Sequence, residues 1–415
     1  MADVVVIGGG ILGACTALHL REAGAGEVVL LERAGALGSE TTAAGAGFVG
    51  YWAGELEAEL AAYGMEFYAR LQAESGDDLG VRRNGLLFPA ISEAGQAMLQ
   101  QEHERELSFA PEVELVDADE ACRLAPILAR AAIHGGLFQP GAHQVDTRRV
   151  MAALARRLAS AGVDVRCGTA ADRVGIEGGR VVAVETGHGA IPTGIAINAA
   201  GAGAESLARR NGLRLGAVPL LESRFVTAPL ADVGEAHPML LFFERDLLYA
   251  RPQSGGLLIG AIERSIGAHD RVPLDRPPPP AASLPQHALE GHERLARACA
   301  DLMPVLADFR VADRASGLPT WTPDGRHILG AAPGIDGYFA LAGDNESCVT
   351  HGPGLARLAA ELVVHGSTEA DIAAYRVGRF DDLSDAELQR AAEGQYLARH
   401  PPEDGSAPTP FGIEL

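Results

Sequence analysis

The chain has 415 residues and a net charge of −21, from 34 basic and 55 acidic side chains, which argues against nucleic acid or an anionic membrane surface as a partner. Its 47% hydrophobic content can fill two sizeable cores, so two intertwined domains are expected, and no apolar run approaches the roughly 18–20 residues of a membrane span. Every basic side chain is arginine, which excludes a Schiff-base lysine, a lysine general base and an ammonium poised to activate oxygen.

In chain order, Asp3-Val4-Val5-Val6-Ile7 reads as a buried parallel strand. It runs into Gly8-Gly9-Gly10-Ile11-Leu12-Gly13, a G-x-G-x-x-G. Helical periodicity follows over Ala14–Ala23, then a second strand, Glu27–Leu31, ends on Glu32. Gly8 permits the tight turn, Gly10 the approach of a pyrophosphate, and Gly13 the packing of helix on strand. The helix N-terminus offers free N–H groups and a positive dipole end to the phosphates. Glu32 is placed to accept both ribose hydroxyls, where a 2′-phosphate is repelled. The unit specifies a dinucleotide and by itself fits NAD or FAD. Residues 2–20 are fairly apolar, but they lack a basic n-region and are interrupted by glycines, so they are not expected to be a secretory signal.

Next comes a small-residue loop, Gly38 to Gly47, suited to crowding a flat ligand. Helices are expected at 55–75, 93–107 and 147–161, the last after the turn-like Gln139-Pro140-Gly141-Ala142-His143-Gln144-Val145-Asp146. Short alternating strands at 163–167, 172–177 and 180–185 suggest a small β-meander. Ile195 to Gly201 reads as the third strand of a doubly wound sheet meeting the cofactor. From about 216 longer strands follow, with Leu240–Arg251 and Gly256–Glu263 as antiparallel neighbours. Pro277–Pro280 reads as a stiff surface excursion. Arg310–Gly354 is turn-rich β, Leu355–His365 a helix, and 376–415 a tail or oligomer arm. Cys15, Cys122, Cys167, Cys299 and Cys348 have no paired spacing. They point away from zinc or disulfides and fit a reducing, cytoplasmic setting. No metal site is expected. A late segment returning to an N-terminal Rossmann unit is what an extended, buried FAD requires and a nicotinamide enzyme does not.

The chain resembles the D-amino-acid oxidase family of flavoproteins, which includes glycine and sarcosine oxidases and the flavin domains of sarcosine and dimethylglycine dehydrogenases. The resemblance covers about residues 2–375. Its motifs are the N-terminal fingerprint, Gly141…Val145-Asp146, Asn198-Ala199-Ala200-Gly201, Tyr249-Ala250-Arg251-Pro252 through Glu263, Ser316 to Gly325, and Gly343 to Val363. It implies an α/β fold: a Rossmann-type FAD-binding domain (1–80, 140–215 and 310–375) interleaved with an α+β antiparallel-sheet substrate domain (81–139 and 216–309). It also implies FAD contacts at Gly8, Gly10, Ile11, Leu12, Gly13, Glu32 and Arg33, and along Ser39, Thr41, Thr42, Ala43, Ala44 and Gly45. Further contacts are implied at Val174, Ala199, Ala200, Gly201 and Gly317, and along Gly343, Asn345, Glu346, Ser347, Cys348 and Val349.

The departures from the family pattern carry equal weight. Gly317 stands where cysteine-linked members carry the thiol, and Thr42 where histidine-linked ones carry the imidazole. FAD is therefore expected to be held non-covalently. The usual "G-F-S-G-H-G-F-(M/K)-x-x-P" is replaced by Gly343-Asp344-Asn345-Glu346-Ser347-Cys348-Val349-Thr350-His351-Gly352-Pro353, with Thr350 where sarcosine oxidases carry lysine. Pro319 occupies the carboxylate-binding arginine position of glycine oxidase. Tyr249 and Arg251, two apart on a strand, can both face the ring. Arg251 could pair with a substrate carboxylate or be engaged internally, and Arg224 is a second candidate. His351 is a candidate base or proton relay, set against a structural role. The expected activity is removal of hydride from the C–N bond of a non-standard amine or amino acid, with O2 or another electron acceptor reoxidising the flavin. C–O oxidation and a non-catalytic flavin-binding scaffold are the alternatives, and an oligomer is compatible with all three.

Overall fold

The computed structural model describes residues 2–50, 54–244, 248–261, 271–285 and 287–398. Its centre is a six-stranded sheet in the order 328–331, 338–342, 196–198, 4–7, 28–32, 164–167. Val4–Ile7 is buried along its whole length because it pairs in parallel on both edges, Val6 opposite Leu30 on one side and Ile197 on the other. Such strands are covered on both faces, hence the unbroken β-branched run. The helix Ile11–Glu22 covers one face together with Thr147–Ser160 and Cys348–His365. A three-stranded sheet of residues 171–177, 180–186 and 189–192, with the short helix Ala204–Arg209, covers the other.

The second body is an eight-stranded sheet in the order 311–317, 222–227, 256–261, 248–253, 239–241, 86–90, 135–139, 114–117. The expected hairpin is Leu248–Gln253 with Gly256–Ala261, and Met239–Leu241 forms a separate strand beside it. Residues 245–247, 262 and 263 of the expected pair lie outside the described residues.

Four expectations change. Asp164–Cys167 leaves the meander and forms the edge of the central sheet, parallel to Val28–Glu32. Val311–Gly317, expected with the cofactor-binding segments, pairs with Glu222–Thr227 in the eight-stranded sheet. The helix expected at Leu355–His365 begins at Cys348 and continues through Pro353. Proline cannot donate to the carbonyl four residues back, that of Val349. Instead the Tyr68 hydroxyl donates to that oxygen at 2.7 Å, which offsets the missing bond by about 1 kcal/mol. Finally, 376–398 is no tail. Asp385–Leu397 is a helix opened by a capping box of Ser384 and Glu387, and its Tyr396 packs edge-on against the buried Trp321. Residues 399–415 of the expected tail lie outside the described residues.

A buried acid sits under the eight-stranded sheet. Glu106 is 1% exposed, and both of its carboxyl oxygens accept from Gln139 Nε2, at 2.8 and 3.1 Å. Burial pushes its carboxyl up to about 8, Gln139 opposes the shift, and the neighbouring Glu102 reinforces it. A folded-state value above the unfolded one stabilises the fold at acid pH, and that contribution is lost as pH rises toward 8. Wild-type thermal stability should therefore fall between pH 6 and 9 by more than that of Glu106→Gln. Parallel profiles in a thermal scan rule out the linkage.

Candidate active site

Gly8 begins the site, with φ +111° between strand and helix. A Cβ there would fall within 2.8 Å of the Ala199–Ala200 backbone, so only glycine fits. Gly13 packs its bare Cα against the Gly8 carbonyl. By contrast, a Cβ at Gly10 would meet only Thr42 Oγ1, at 3.2 Å, and one at Gly201 would meet nothing within 4 Å. Both residues line a long cavity at the C-terminal ends of the central strands, where open parallel sheets bind ligands. The helix N-terminus above it has no acidic residue in its first turn and no side-chain cap from Gly10, as an anion site requires. Thr42 Oγ1 accepts from Ile11 N at 3.3 Å.

Glu32, 7% exposed, is held by the Gly9 N–H at 2.7 Å and the Ala34 N–H at 2.6 Å. Burial raises its carboxyl above the usual range, while the two N–H donors act the other way. The cavity runs from Glu32 and Arg33 past Ala199, Ala200 and Gly201 to Leu318, Thr320, Asp344 and Cys348. That course, with open glycines at the middle and an acid at one end, fits an extended FAD: Glu32 toward the ribose, Gly10 and the helix end toward the pyrophosphate, and the 318–348 end toward the ring.

Several implied contacts lie elsewhere. Ser39 is exposed and donates to Ala36 O at 2.8 Å; Gly38 and Glu40 line the cavity instead. Val174 is fully buried, its carbonyl accepting from Asn211 Nδ2 at 2.6 Å, and the wall is built by Thr169–Asp172, just upstream. Because Glu32 pairs with Cys167, the chain leaving that edge strand must cross the strand ends. Thr41 lines the cavity and accepts from Leu318 N at 3.0 Å. Ala43, Ala44 and Gly45 run on beneath the eight-stranded sheet: Gly317 presses on Thr41 and Ala44, and Ala43 O accepts from Arg224 Nη2 at 2.8 Å. The proline run is no mere surface excursion, since Pro277 and Pro278 line the cavity.

In the closing loop the cavity-facing residues are Asp344 and Cys348, rather than Gly343, Asn345, Glu346, Ser347 or Val349. Asp344 Oδ1 accepts from Thr320 N at 2.6 Å and Thr320 Oγ1 at 2.8 Å, and burial raises its carboxyl. Burial, and then Asp344, pushes the Cys348 thiol up, so it is a poor nucleophile. Asn345 and Glu346 have φ +43° and +62°, and Ser347 N donates to Asp344 O at 2.7 Å. This is a type I′ turn, which favours glycine at its second central position. Holding Glu346 left-handed costs about 1 kcal/mol. Glu346→Gly should therefore raise the thermal midpoint, and a lower midpoint shows that the carboxylate's contacts outweigh the strain.

Tyr249 and Arg224 both stand opposite Gly260, so the three share one row on one face of the sheet. A Cβ at Gly260 would collide with the Tyr249 ring. Tyr249 stacks edge-on to Phe48. Its hydroxyl is pushed up by burial first, then by Glu346 and Glu222. Arg251 is engaged internally: Nε donates to Ala46 O and Nη1 to Pro252 O at 3.1 Å. Burial pulls its guanidinium down to about 10, and the group braces the 43–47 segment. Arg224 Nη1 pairs with Asp313 at 2.9 Å, leaving Nε buried without a partner. Thr350 Oγ1 donates to Phe48 O at 2.8 Å. His351 Nδ1 lies 3.0 Å from His327 Nε2, whose Nδ1 lies 3.0 Å from Gly343 O, so His351 buttresses the closing loop. The sequence reading left His327, Thr320 and Asp344 out of the site; the resemblance at 316–325 was the available signal for Thr320 and that at 343–363 for Asp344.

A family model described as FAD dependent oxidoreductase (DAO) matches residues 3–362. The chain belongs to the DAO family of FAD dependent oxidoreductases. It is 31% identical over 396 residues to 4-methylaminobutanoate oxidase (formaldehyde-forming) of Paenarthrobacter nicotinovorans, covering 91% of this chain and 45% of that one. It is 27% identical to the mitochondrial pyruvate dehydrogenase phosphatase regulatory subunit of Mus musculus, covering 92% and 43%. The chain thus spans less than half the length of these two relatives. Among solved structures, glycine oxidase from Geobacillus kaustophilus superimposes with a TM-score of 0.78 at 26% identity, covering 91% of this chain and 98% of that one. The mixed α/β fold is that of this family, and FAD is the family's cofactor.

Proposed function

We propose that this chain is an FAD-dependent oxidoreductase that removes hydride from the C–N bond of an amine or amino acid. The observation that carries the reading is the continuous cavity from Glu32 to Asp344 and Cys348, which joins a nucleotide end to a buried end under the closing loop. The names of the chain's relatives support it: oxidases of glycine, of iminodiacetate and of 4-methylaminobutanoate. Bound FAD would supply the two-electron acceptor for that hydride, and water would hydrolyse the imine product.

The protein's own task is orientation and charge. Tyr249, standing over Gly260, sets the row that faces the substrate side. The helix beginning at Cys348 directs its positive end at the closing-loop end of the cavity. The loop's shape is held by Asp344 on Thr320 and by His351 on His327. Arg251 is committed to backbone carbonyls and Arg224 to Asp313 and Ala43 O, which leaves Arg224 Nε, buried without a partner, as the donor for a substrate carboxylate. Oxygen or another carrier takes the electrons onward; no lysine is available to assist oxygen. Non-covalent FAD accords with Gly317 and Thr42 at the two linkage positions. A reducing, cytoplasmic setting accords with five free cysteines, and among the described residues no helix is long and apolar enough to cross a membrane.

Candidate amines added anaerobically to the yellow protein should bleach its flavin band, and a colourless protein that cannot be reconstituted with FAD overturns the proposal. Acid precipitation should release the colour into the supernatant; colour kept in the pellet refutes non-covalent binding. The similarity to a phosphatase regulatory subunit favours a second reading, a flavin-binding scaffold, which predicts colour without bleaching by any amine.

A further inference from the structure

Four consecutive prolines carry no N–H, so a run of them can be anchored only through its carbonyls and its flanks. In this chain both anchors come from the nucleotide end of the cofactor cavity. Arg33, next to the ribose-facing Glu32, donates from Nη1 to Pro278 O at 2.8 Å and from Nη2 to Pro279 O at 3.4 Å. The same Nη2 pairs with Glu40 Oε2 at 2.9 Å, and that oxygen also accepts from Ala281 N at 2.9 Å. Pro277 and Pro278 form part of the cavity wall, and Pro278 Cδ would lie 3.7 Å from a Cβ at Gly203 on the opposite lip.

We propose that Pro277–Pro280, latched by Arg33 and Glu40, is a clasp over the adenosine half of FAD and slows release of a cofactor that has no covalent tether. The inference rests on FAD being the ligand of the cavity. A stiff polyproline segment suits this role, because it loses little conformational entropy when it closes. Glu40 is the hub. One carboxylate oxygen holds both the arginine and the first N–H beyond the prolines, so removing it frees the C-terminal flank of the segment and leaves Arg33 without its ion-pair partner.

The test is the rate of FAD release from the holoprotein after dilution, read as the rise of free flavin fluorescence. Glu40→Ala and Arg33→Ala should each release FAD roughly tenfold faster, the scale of losing one or two charge-assisted hydrogen bonds. Glu40→Gln, whose amide oxygen can still accept from Ala281 N, should fall between these variants and wild type. The paired side chains are 34% and 27% exposed, so the apoprotein's thermal midpoint should hardly move. Release at the wild-type rate in both alanine variants overturns the clasp, as does acceleration matched by collapse of the apoprotein midpoint. A wild-type chain that takes up no FAD sinks the functional reading and the clasp together.

Discussion

Gly13→Ala is expected to bind FAD about a hundredfold more weakly or worse. The added Cβ would land on the Gly8 carbonyl oxygen, with the Ala199 side chain 3.5 Å away. The clash with the Gly8 carbonyl cannot be relieved by a rotamer change. Gly8 is itself pinned at φ +111° against the Ala199–Ala200 backbone, so strand, turn and helix have no common direction in which to give. Overpacking of this kind costs about 1–3 kcal/mol, and relief requires shifting the helix N-terminus that faces the pyrophosphate. Affinity for FAD should fall by about a hundredfold or more, the equivalent of about 3 kcal/mol. Titration of apoprotein with FAD, followed by quenching of flavin fluorescence, measures it. Binding within tenfold of wild type would show that helix and turn need not touch.

Asp344→Ala should produce the second-largest effect, at the other end of the cavity. It removes the acceptor for Thr320 N and Thr320 Oγ1, at 2.6 and 2.8 Å, leaving two buried donors unmatched at a cost of about 2–3 kcal/mol. The closing loop then keeps its backbone bond from Asn345 N to Thr320 O, 2.8 Å long, but loses the side-chain half of its tie to the 320–321 strand, and FAD affinity should drop along with the thermal midpoint. Asp344→Asn keeps one acceptor oxygen and should lose less. Because burial raises the Asp344 carboxyl, protonation favours the folded form, so this contribution is largest in acid and falls as pH rises through the shifted value. The asparagine variant removes that slope. Equal midpoints for Asp344→Ala and wild type would exclude the tie.

The parts legible in the sequence were those whose physics is local. Gly8, Gly10, Gly13 and Glu32 each have a job defined by a strand, a turn and a helix within thirty residues. Where composition was allowed to outweigh pattern, the reading failed. Residues 376–398 look like a polar tail, yet Ser384 and Glu387 spell a capping box that announces a helix. Arg251 was read as a site residue from its strand spacing with Tyr249, and Thr350 from its place at the family's lysine position. Each is instead drawn onto a backbone carbonyl, Ala46 and Phe48 respectively, because burial leaves a polar group no alternative but the nearest partner.

By itself, the sequence determined the nucleotide-binding unit, the FAD-type return of late segments to the first sheet, and the loss of both flavin attachment points. Tertiary structure alone decided which side chains line the cavity. It brought Thr169–Asp172 over the strand ends through the register of Glu32 with Cys167. It also carried Pro278 across some 245 residues of chain to Arg33. The reason is one of range. Turn geometry and helix dipoles act over a few residues and leave a pattern in them, whereas a cavity wall is assembled by sheet register and core packing, which no short stretch of sequence encodes.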